Sequence, residues 1–591
     1  MRPSTPYLTL CALALALLTA CSTAPQPPSA ALLPPTPATA QAAAAYDAGM
    51  DVFHPVVAKN GMVATEQALA TRIGLEVLQS GGNAVDAAVA VGFALAVALP
   101  NAGNIGGGGF MLVHEAASGQ SVALDFRETA PASAQRTMYL DAQGQVIDGK
   151  SLYTHHAVGV PGTVAGLTHA LQQWGTLPLA HVLQPAIDLA EQGYPVSTTL
   201  AQALERAQTT MGRWPATQAI FWKNGAPLRA GERLVQKDLA HSLRLIAQNG
   251  AKAFYEGEIA QKIAAEMARH GSPMTLHDLR SYRVVEREPV RGSYRGYQIV
   301  TMPPPSSGGA HLVQMLNILE RWPLRDWGPN SAQTVHHMAE AMKLAYADRA
   351  EYLGDPAFVS VPLAGLTSKK YADTLAQQIR PDSARSAQTI KPGQPLPFES
   401  DQTTHYSVVD QAGNMVAVTY TLNTNFGSGI VAAGTGILLN NEMDDFSAKP
   451  GVPNAYGLVG GAANAVAAGK RPLSSMTPTL VLKDQQPWLV TGSPGGARII
   501  TTVLQQIVNG IDFGMNPAEA AAAVRFHHQW MPDELRVEKG FSPDTLHLLR
   551  QKGQNVVVKP AMGRTQTIQV QGQALWGYSD PRNPDGLTLG Y

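Results

Sequence analysis

The chain has 591 residues, with 43 Lys and Arg against 44 Asp and Glu, a formal net charge of −1. Hydrophobic residues at 45% exclude a disordered chain, and the balanced charge argues against a nucleic-acid binder, which carries a basic surplus to neutralise phosphates. Two cysteines occur, Cys11 and Cys21, both within the first 21 residues, so the body of the chain holds no disulfide and depends on its core.

In chain order, Met1 and Arg2 supply positive charge, and Leu8 to Ala20 is apolar apart from two threonines and a cysteine. Its 13 residues fall short of the roughly 20 that span a bilayer and fit a secretory signal. The run ends Leu18-Thr19-Ala20-Cys21, which resembles a bacterial lipobox. That resemblance implies cleavage after residue 20, acylation of Cys21 and, with Ser22 next, sorting to the outer membrane from the periplasm. An ordinary signal peptide with an incidental cysteine is the plainer alternative. Ser22 to Ala45 has no charge and six prolines, and reads as an extended tether. The expected leader is therefore 1–20 as signal and 21–48 as lipidated cysteine and tether, the membrane being reached by lipid alone. Ala87 to Leu99 is again 13 residues and reads as a buried core helix.

Helical periodicity covers Thr65 to Gln79, ended by Ser80-Gly81-Gly82, and the Ala87–Leu99 helix follows. After the Gly103 to Gly109 run come strands Phe110–His114 and Ser121–Phe126 around a Ser118-Gly119 turn. Helix dominates from about 160 to 375, including an amphipathic stretch Thr334–Tyr352 ended by Gly354 and Pro356. Residues 383 to 401 are a loop rich in Ser, Gln, Pro and Gly. A hairpin follows, with Thr403 at the mouth of its first strand (to Val409) and Met415–Thr421 as its second. Another hairpin, Thr479–Lys483 and Trp488–Thr491, runs through Gly492-Ser-Pro-Gly-Gly496 into a helix over Arg498–Asn509. A last strand pair lies near 565 to 578. No internal repeat occurs. Hairpins alternating with helix pairs predict layers, sheets inside and helices outside.

Three histidine pairs, His155-His156, His336-His337 and His527-His528, invite a metal reading. Neighbouring residues point in different directions, so a pair does not readily chelate one ion, and neither HExxH nor a body cysteine is present. His337 and Glu340 share a helical face without further ligands. No metal or cofactor is expected. The Gly106 to Gly109 run precedes a strand, the reverse of a nucleotide-binding fingerprint, and reads as a place of close backbone packing. No GxSxG elbow exists. What remains is Thr403 between a proline-rich loop and a strand. A threonine hydroxyl needs a base, which its own α-amine supplies once chain cleavage exposes it, because an α-amine titrates at about 7.7–8.0. On these residues alone, a Thr-Thr pair at a strand start is adequately explained by β-propensity.

The run Gln402-Thr-Thr-His-Tyr-Ser-Val-Val409 with Thr419-Tyr-Thr-Leu-Asn-Thr424 closely resembles the γ-glutamyltranspeptidases. So do Asp125-Phe-Arg-Glu-Thr-Ala-Pro131, Asn440-Asn-Glu-Met-Asp-Asp445, Arg471-Pro-Leu-Ser-Ser-Met476 and Gly492-Ser-Pro-Gly-Gly496, in order from about residue 50 to the C-terminus. The resemblance implies an α+β, four-layer αββα sandwich of the N-terminal-nucleophile hydrolase type, one core built from two autoprocessed chains. It implies self-cleavage between Gln402 and Thr403 into a large subunit, 49–402, and a small subunit, 403–591, which stay together as a heterodimer.

By the same resemblance Thr403 is nucleophile and its amine the base, Thr421 tunes it, and the Gly495 and Gly496 amides form the oxyanion hole. Arg127, Ser474 and Ser475 clamp the α-carboxylate of a γ-glutamyl donor, and Asn423, Glu442 and Asp445 accept from its α-ammonium. Tyr456, in Pro450 to Gly461, covers the bound donor as part of a lid loop. The implied partners are glutathione or other γ-glutamyl amides as donors and water, amino acids or dipeptides as acceptors, with no nucleic acid. A glutaryl (cephalosporin) acylase on the same fold is the rival enzymatic reading, although a glutaryl group has no ammonium for Glu442 and Asp445. A lipid-anchored binding protein with a dead site is the non-enzymatic one.

Overall fold

The computed structural model describes residues 47–391, 404–449 and 462–591, all within one unit, Pro37–Tyr591. Cys21 with the signal and nearly all of the tether, Gln402, Thr403 and Tyr456 lie outside the described residues.

Two seven-stranded antiparallel sheets lie face to face. The first runs, edge to edge, Leu587–Gly590, Met62–Thr65, Thr404–Val409, Met415–Thr421, Gly108–Glu115, Gln120–Phe126 and Val285–Arg287. The second runs Val56–Ala58, Ala574–Ser579, Gln566–Gln571, Gln486–Thr491, Thr479–Lys483, Tyr297–Thr301 and Val290–Tyr294. The period of two assigns the faces of the first sheet. Met111, Val113, Tyr406, Val408 and Val418 pack on a helical layer that includes Ala68–Gln79, Ala84–Ala98, Thr163–Trp174 and Leu179–Gln192. Phe110, Leu112, Val409 and Ala417 turn to the second sheet, where Ser407 Oγ donates to the Gln566 carbonyl (2.9 Å). Helices Gly308–Leu319, Ala332–Tyr352 and Arg498–Ile511 cover the far side. This is the αββα sandwich.

Four expectations change. The first helix starts at Ala68, because Met62–Thr65 is instead a strand, paired with Tyr406–Val409 on one side and Leu587–Gly590 on the other. The supposedly helical 160–375 stretch contains Val285–Arg287 and the hairpin Val290–Tyr294/Tyr297–Thr301. The hairpin's turn residues Arg295 and Gly296 both take positive φ (47° and 85°), which suits a two-residue turn. The Ala332–Tyr352 helix is not amphipathic: from Ala332 to Ala350 only Gln333 escapes burial, and its charges are paired inside, as in Lys343–Glu340 (2.7 Å). Finally, Leu587–Gly590 adds a strand after the pair near 565 to 578.

The glycine run has the packing role expected of it. A Cβ on Gly106 or Gly107 would collide with the Leu438 or Thr421 carbonyl, and one on Gly109 with Tyr420. Backbone approach without side chains seats the end of Met415–Thr421, where the site begins.

Candidate active site

Thr404 opens the third strand of the first sheet, and Tyr420 is its register partner, with Thr421 ending the neighbouring strand. The residue after Thr404, His405, is fully buried; its Nδ1 meets Thr419 Oγ1 (2.8 Å) and its Nε2 meets Ser407 Oγ (3.1 Å). Burial pushes its imidazole down to about 3, so it stays neutral. A Cβ on Gly492 would enter the His405 ring, so this ring sets how closely the Gly492–Gly496 loop lies on the strand. The His405 N–H donates to Glu66 Oε1 (3.3 Å), a buried carboxylate ion-paired with Arg564 Nε (3.0 Å). Burial raises the Glu66 carboxyl, and Arg564 opposes that shift. The Arg564 N–H in turn donates to Ser493 Oγ (2.9 Å), closing a path from strand start to glycine loop.

In that loop Gly495 and Gly496 have φ of 134° and 58°, a conformation that L side chains rarely adopt. Their amide N–H groups donate to no acceptor among the described residues. They directly precede the 14-residue helix Arg498–Ile511, whose positive end adds to the pull on an anion. Two free amides at a helix start stabilise an oxyanion.

The second half of the site surrounds Arg127, which follows the strand Gln120–Phe126 and is 1% exposed. Nη1 pairs with Glu442, Nη2 with Asp445 Oδ2 (2.5 Å), and Nε and Nη2 also donate to the Pro472 (3.2 Å) and Leu473 (3.1 Å) carbonyls. Glu128 lies 3.8 Å from Nη1. The turn Glu442–Asp445 is held by Asn440, whose Nδ2 donates to the Gly106 and Gly159 carbonyls (2.8 Å each) and whose Oδ1 accepts from the Glu442 N–H (3.0 Å). Asn423 has φ of 76°, which asparagine tolerates, and its Nδ2 donates to the Asn441 carbonyl (3.0 Å). Ser474 Oγ accepts from the Met476 N–H (3.1 Å), and the Ser474 carbonyl accepts from the Ser307 N–H (2.7 Å).

Three buried carboxyls thus share one guanidinium. Desolvation pushes Glu128 up to about 7 and raises Glu442 and Asp445, with Arg127 opposing each shift. Among the described residues, buried Asn423 Oδ1, Glu442 Oε2, Asp445 Oδ1 and Ser475 Oγ have no hydrogen-bond partner. Such groups are costly to leave unmade, so this is a place prepared for a ligand. The resemblance implies Arg127 and the two acids at opposite ends of one zwitterion, whereas here they also bind each other. An α-carboxylate and α-ammonium share one carbon, so a site reading both must bring opposite charges this close.

Thr421, Asn423, Arg127, Glu442, Asp445, Ser474, Ser475, Gly495 and Gly496 are therefore all placed, and Thr421 Oγ1 accepts from the Asn423 N–H (2.8 Å). Glu66 and Arg564 carry no sequence signal, and Glu128 stood unassigned inside a matched motif. Of the histidine pairs, His336, His337, His527 and His528 are buried with protein partners, for example His336 Nε2 on the Arg380 carbonyl (2.7 Å).

A family model described as gamma-glutamyltranspeptidase matches residues 70–589. The chain is 59% identical over 565 residues to a glutathione hydrolase proenzyme of Escherichia coli K12, covering 95% of this chain and 96% of that one. It is 48% identical over 575 residues to a glutathione hydrolase proenzyme of Pseudomonas sp. A14, covering 94% and 98%. A solved cephalosporin acylase from Bacillus halodurans superposes with a TM-score of 0.82 at 33% identity, covering 92% of this chain and 97% of that one.

Proposed function

The chain belongs to the γ-glutamyltranspeptidase family and is a γ-glutamyl hydrolase and transferase made as a proenzyme, and we propose that Thr403 is the residue its maturation exposes. Cleavage of the Gln402–Thr403 bond divides it into subunits 49–402 and 403–591. The register Thr404↔Tyr420 supports this, since Thr421, the residue after Tyr420, ends its strand beside the start of the strand that follows the proposed cut; its hydroxyl tunes the nucleophile.

Glutathione or another γ-glutamyl amide binds with its α-carboxylate on Arg127, Ser474 and Ser475 and its α-ammonium among Asn423, Glu442 and Asp445. Thr403 Oγ attacks the γ-carbonyl carbon and passes its proton to its own α-amine. The Gly495 and Gly496 amides hold the oxyanion; removing one such donor typically costs about 10²–10³ in rate. The amine then gives the proton to the leaving nitrogen as the C–N bond breaks, leaving a γ-glutamyl-Thr403 ester. Water hydrolyses the ester, or an amino acid or dipeptide takes the acyl group. Tyr456 screens the donor. His405, neutral with both nitrogens engaged, leaves the base role to the amine.

The observation that carries this reading is the set of buried acceptors beside Arg127 that have no partner among the described residues, which suits an α-amino-acid head group. A glutaryl acylase would leave those acceptors unmet. Cys21 anchors the enzyme by lipid in the periplasmic face of the outer membrane, supported by the lipobox-like ending of the leader. Purified Thr403→Ala protein is expected to migrate as one chain and to release no p-nitroaniline from γ-glutamyl p-nitroanilide. Two subunits or retained turnover in that variant would overturn the assignment.

A further inference from the structure

The backbone of Ser474 is held by the loop that enters the helix Gly308–Leu319. Ser306 forms an isolated parallel bridge with Ser474, and the Ser474 N–H donates to the Pro305 carbonyl (2.9 Å). The Ser474 carbonyl accepts from both the N–H (2.7 Å) and the Oγ (2.8 Å) of Ser307. Gly308 permits this approach, since a Cβ there would collide with Thr477 Oγ1 and the Met476 carbonyl.

Ser307 stands at the N-cap of that helix, where a serine hydroxyl ordinarily accepts from the first free N–H groups, a contact of about 1 kcal/mol. Its side chain makes no such bond. Instead its one proton goes to the Ser474 carbonyl, and its oxygen accepts from Arg349 Nε (2.7 Å) on the helix Ala332–Tyr352. Arg349 is 2% exposed, so this charge-assisted bond is shielded from water and fixes which way the hydroxyl turns. A local preference surrendered at a buried position is expected where it serves a site. With the Ser474 N–H and carbonyl both engaged, the hydroxyls are left for a ligand. Ser474 Oγ accepts from the Met476 N–H (3.1 Å) and donates to no acceptor among the described residues, and Ser475 Oγ has no partner among them.

We propose that Ser307, oriented by Arg349, is a positioning residue for the donor's α-carboxylate. The chain Arg349–Ser307–Ser474 holds the backbone from which the Ser474 and Ser475 hydroxyls give their protons to that carboxylate. Hydroxyl–carboxylate bonds are short and weaken steeply as their angle departs from linear, so a small backbone shift is felt in binding. The role presupposes that Ser474 and Ser475 bind the carboxylate, as the proposed function has it.

The test compares mature parent enzyme with Ser307→Ala, Arg349→Lys, the double variant and Ser474→Ala/Ser475→Ala. L-Glutamate and 4-aminobutyrate, which differ only in the α-carboxylate, serve as competitive inhibitors of γ-glutamyl p-nitroanilide hydrolysis. Ser307→Ala keeps the Ser307 N–H on the Ser474 carbonyl and so keeps the fold. It should raise KM about three- to thirtyfold with kcat within about threefold, and the preference for L-glutamate should fall by the factor by which KM rises. Arg349→Lys should act in the same direction and add little to Ser307→Ala, because both work through one chain; full additivity would refute the relay. A purely structural loss would lower the thermal midpoint and leave the preference intact. An intact preference in Ser307→Ala beside a lost one in Ser474→Ala/Ser475→Ala overturns the positioning role alone. An intact preference in both overturns the clamp, and the role with it.

Discussion

Asp445→Asn separates recognition of the donor's ammonium from everything else the pocket does. The substitution keeps shape and removes charge. Asp445 Oδ2 takes Arg127 Nη2 at 2.5 Å, and Oδ1 is buried without a partner among the described residues. On the proposed reading that oxygen accepts from the donor's ammonium, a charge-assisted contact of about 1.5–3 kcal/mol. Its loss lowers kcat/KM for γ-glutamyl p-nitroanilide by about 10- to 150-fold, at about 1.4 kcal/mol per factor of ten. The fall belongs mainly to KM, because the ammonium is bound alike in ground and transition states.

Glutaryl p-nitroanilide is the internal control. It offers the same terminal carboxylate and scissile amide without the ammonium, so its kcat/KM should change by less than about threefold, and the ratio of the two substrates falls by about the full contact. Arg127 retains Glu442 and the Pro472 and Leu473 carbonyls, so maturation should hold, while the weakened buried pair lowers the thermal midpoint. An equal fall for both anilides would refute the reasoning, since Asp445 would then be acting through Arg127 alone.

Gly492→Ala drives a Cβ into the His405 ring, an overpacking expected to cost about 1–3 kcal/mol or more and to show as a lowered thermal midpoint and slowed maturation on gels. Glu128, raised to about 7 by burial, binds its proton more tightly folded than unfolded, so its contribution to stability is present below about 4.5 and is lost as pH rises through 7. Chemical denaturation across pH 4.5–8 should show that slope, and Glu128→Gln should reduce it, since buried Asp444, raised to about 7, contributes with the same sign. Arg564→Met leaves the buried Glu66 carboxylate unpaired, a loss of about 3–5 kcal/mol, whereas adding Glu66→Gln should restore most of it; a double variant as unstable as the single would contradict the pairing.

Legibility followed how local the cause was. The hairpin Thr404–Val409/Met415–Thr421 and the helix Arg498–Ile511 follow period-two and period-3.6 patterns bounded by turns, and they appear almost where read. The Val290–Tyr294/Tyr297–Thr301 hairpin was hidden because Arg-Gly is a weak turn signal among long helices. The Ala332–Tyr352 helix looked amphipathic because its charges suggest solvent, yet the fold pairs them inside, which only tertiary contacts reveal. In the site, residues within short motifs were legible through resemblance. Glu66 and Arg564 were not, because about 500 residues of sequence separate two ordinary charges that only the sheet order brings together.

The same non-locality bears on maturation. The strand beginning at Thr404 lies inside its sheet, bonded on one side to Met62–Thr65 from the start of the folded chain and on the other to Met415–Thr421. Its first residues touch Glu66, its ring at His405 seats Gly492, and Arg564 links both from near the C-terminus. Groups spread over about 500 residues thus meet only when both sheets have formed, so the surroundings of the strand start at Thr404 are complete only in the folded chain. Because Thr404–Val409 keeps two bonded neighbours, cutting the chain before it removes no ladder hydrogen bond. On the proposed reading maturation follows folding, and changes that displace these groups, such as Gly492→Ala or Arg564→Met, should slow it.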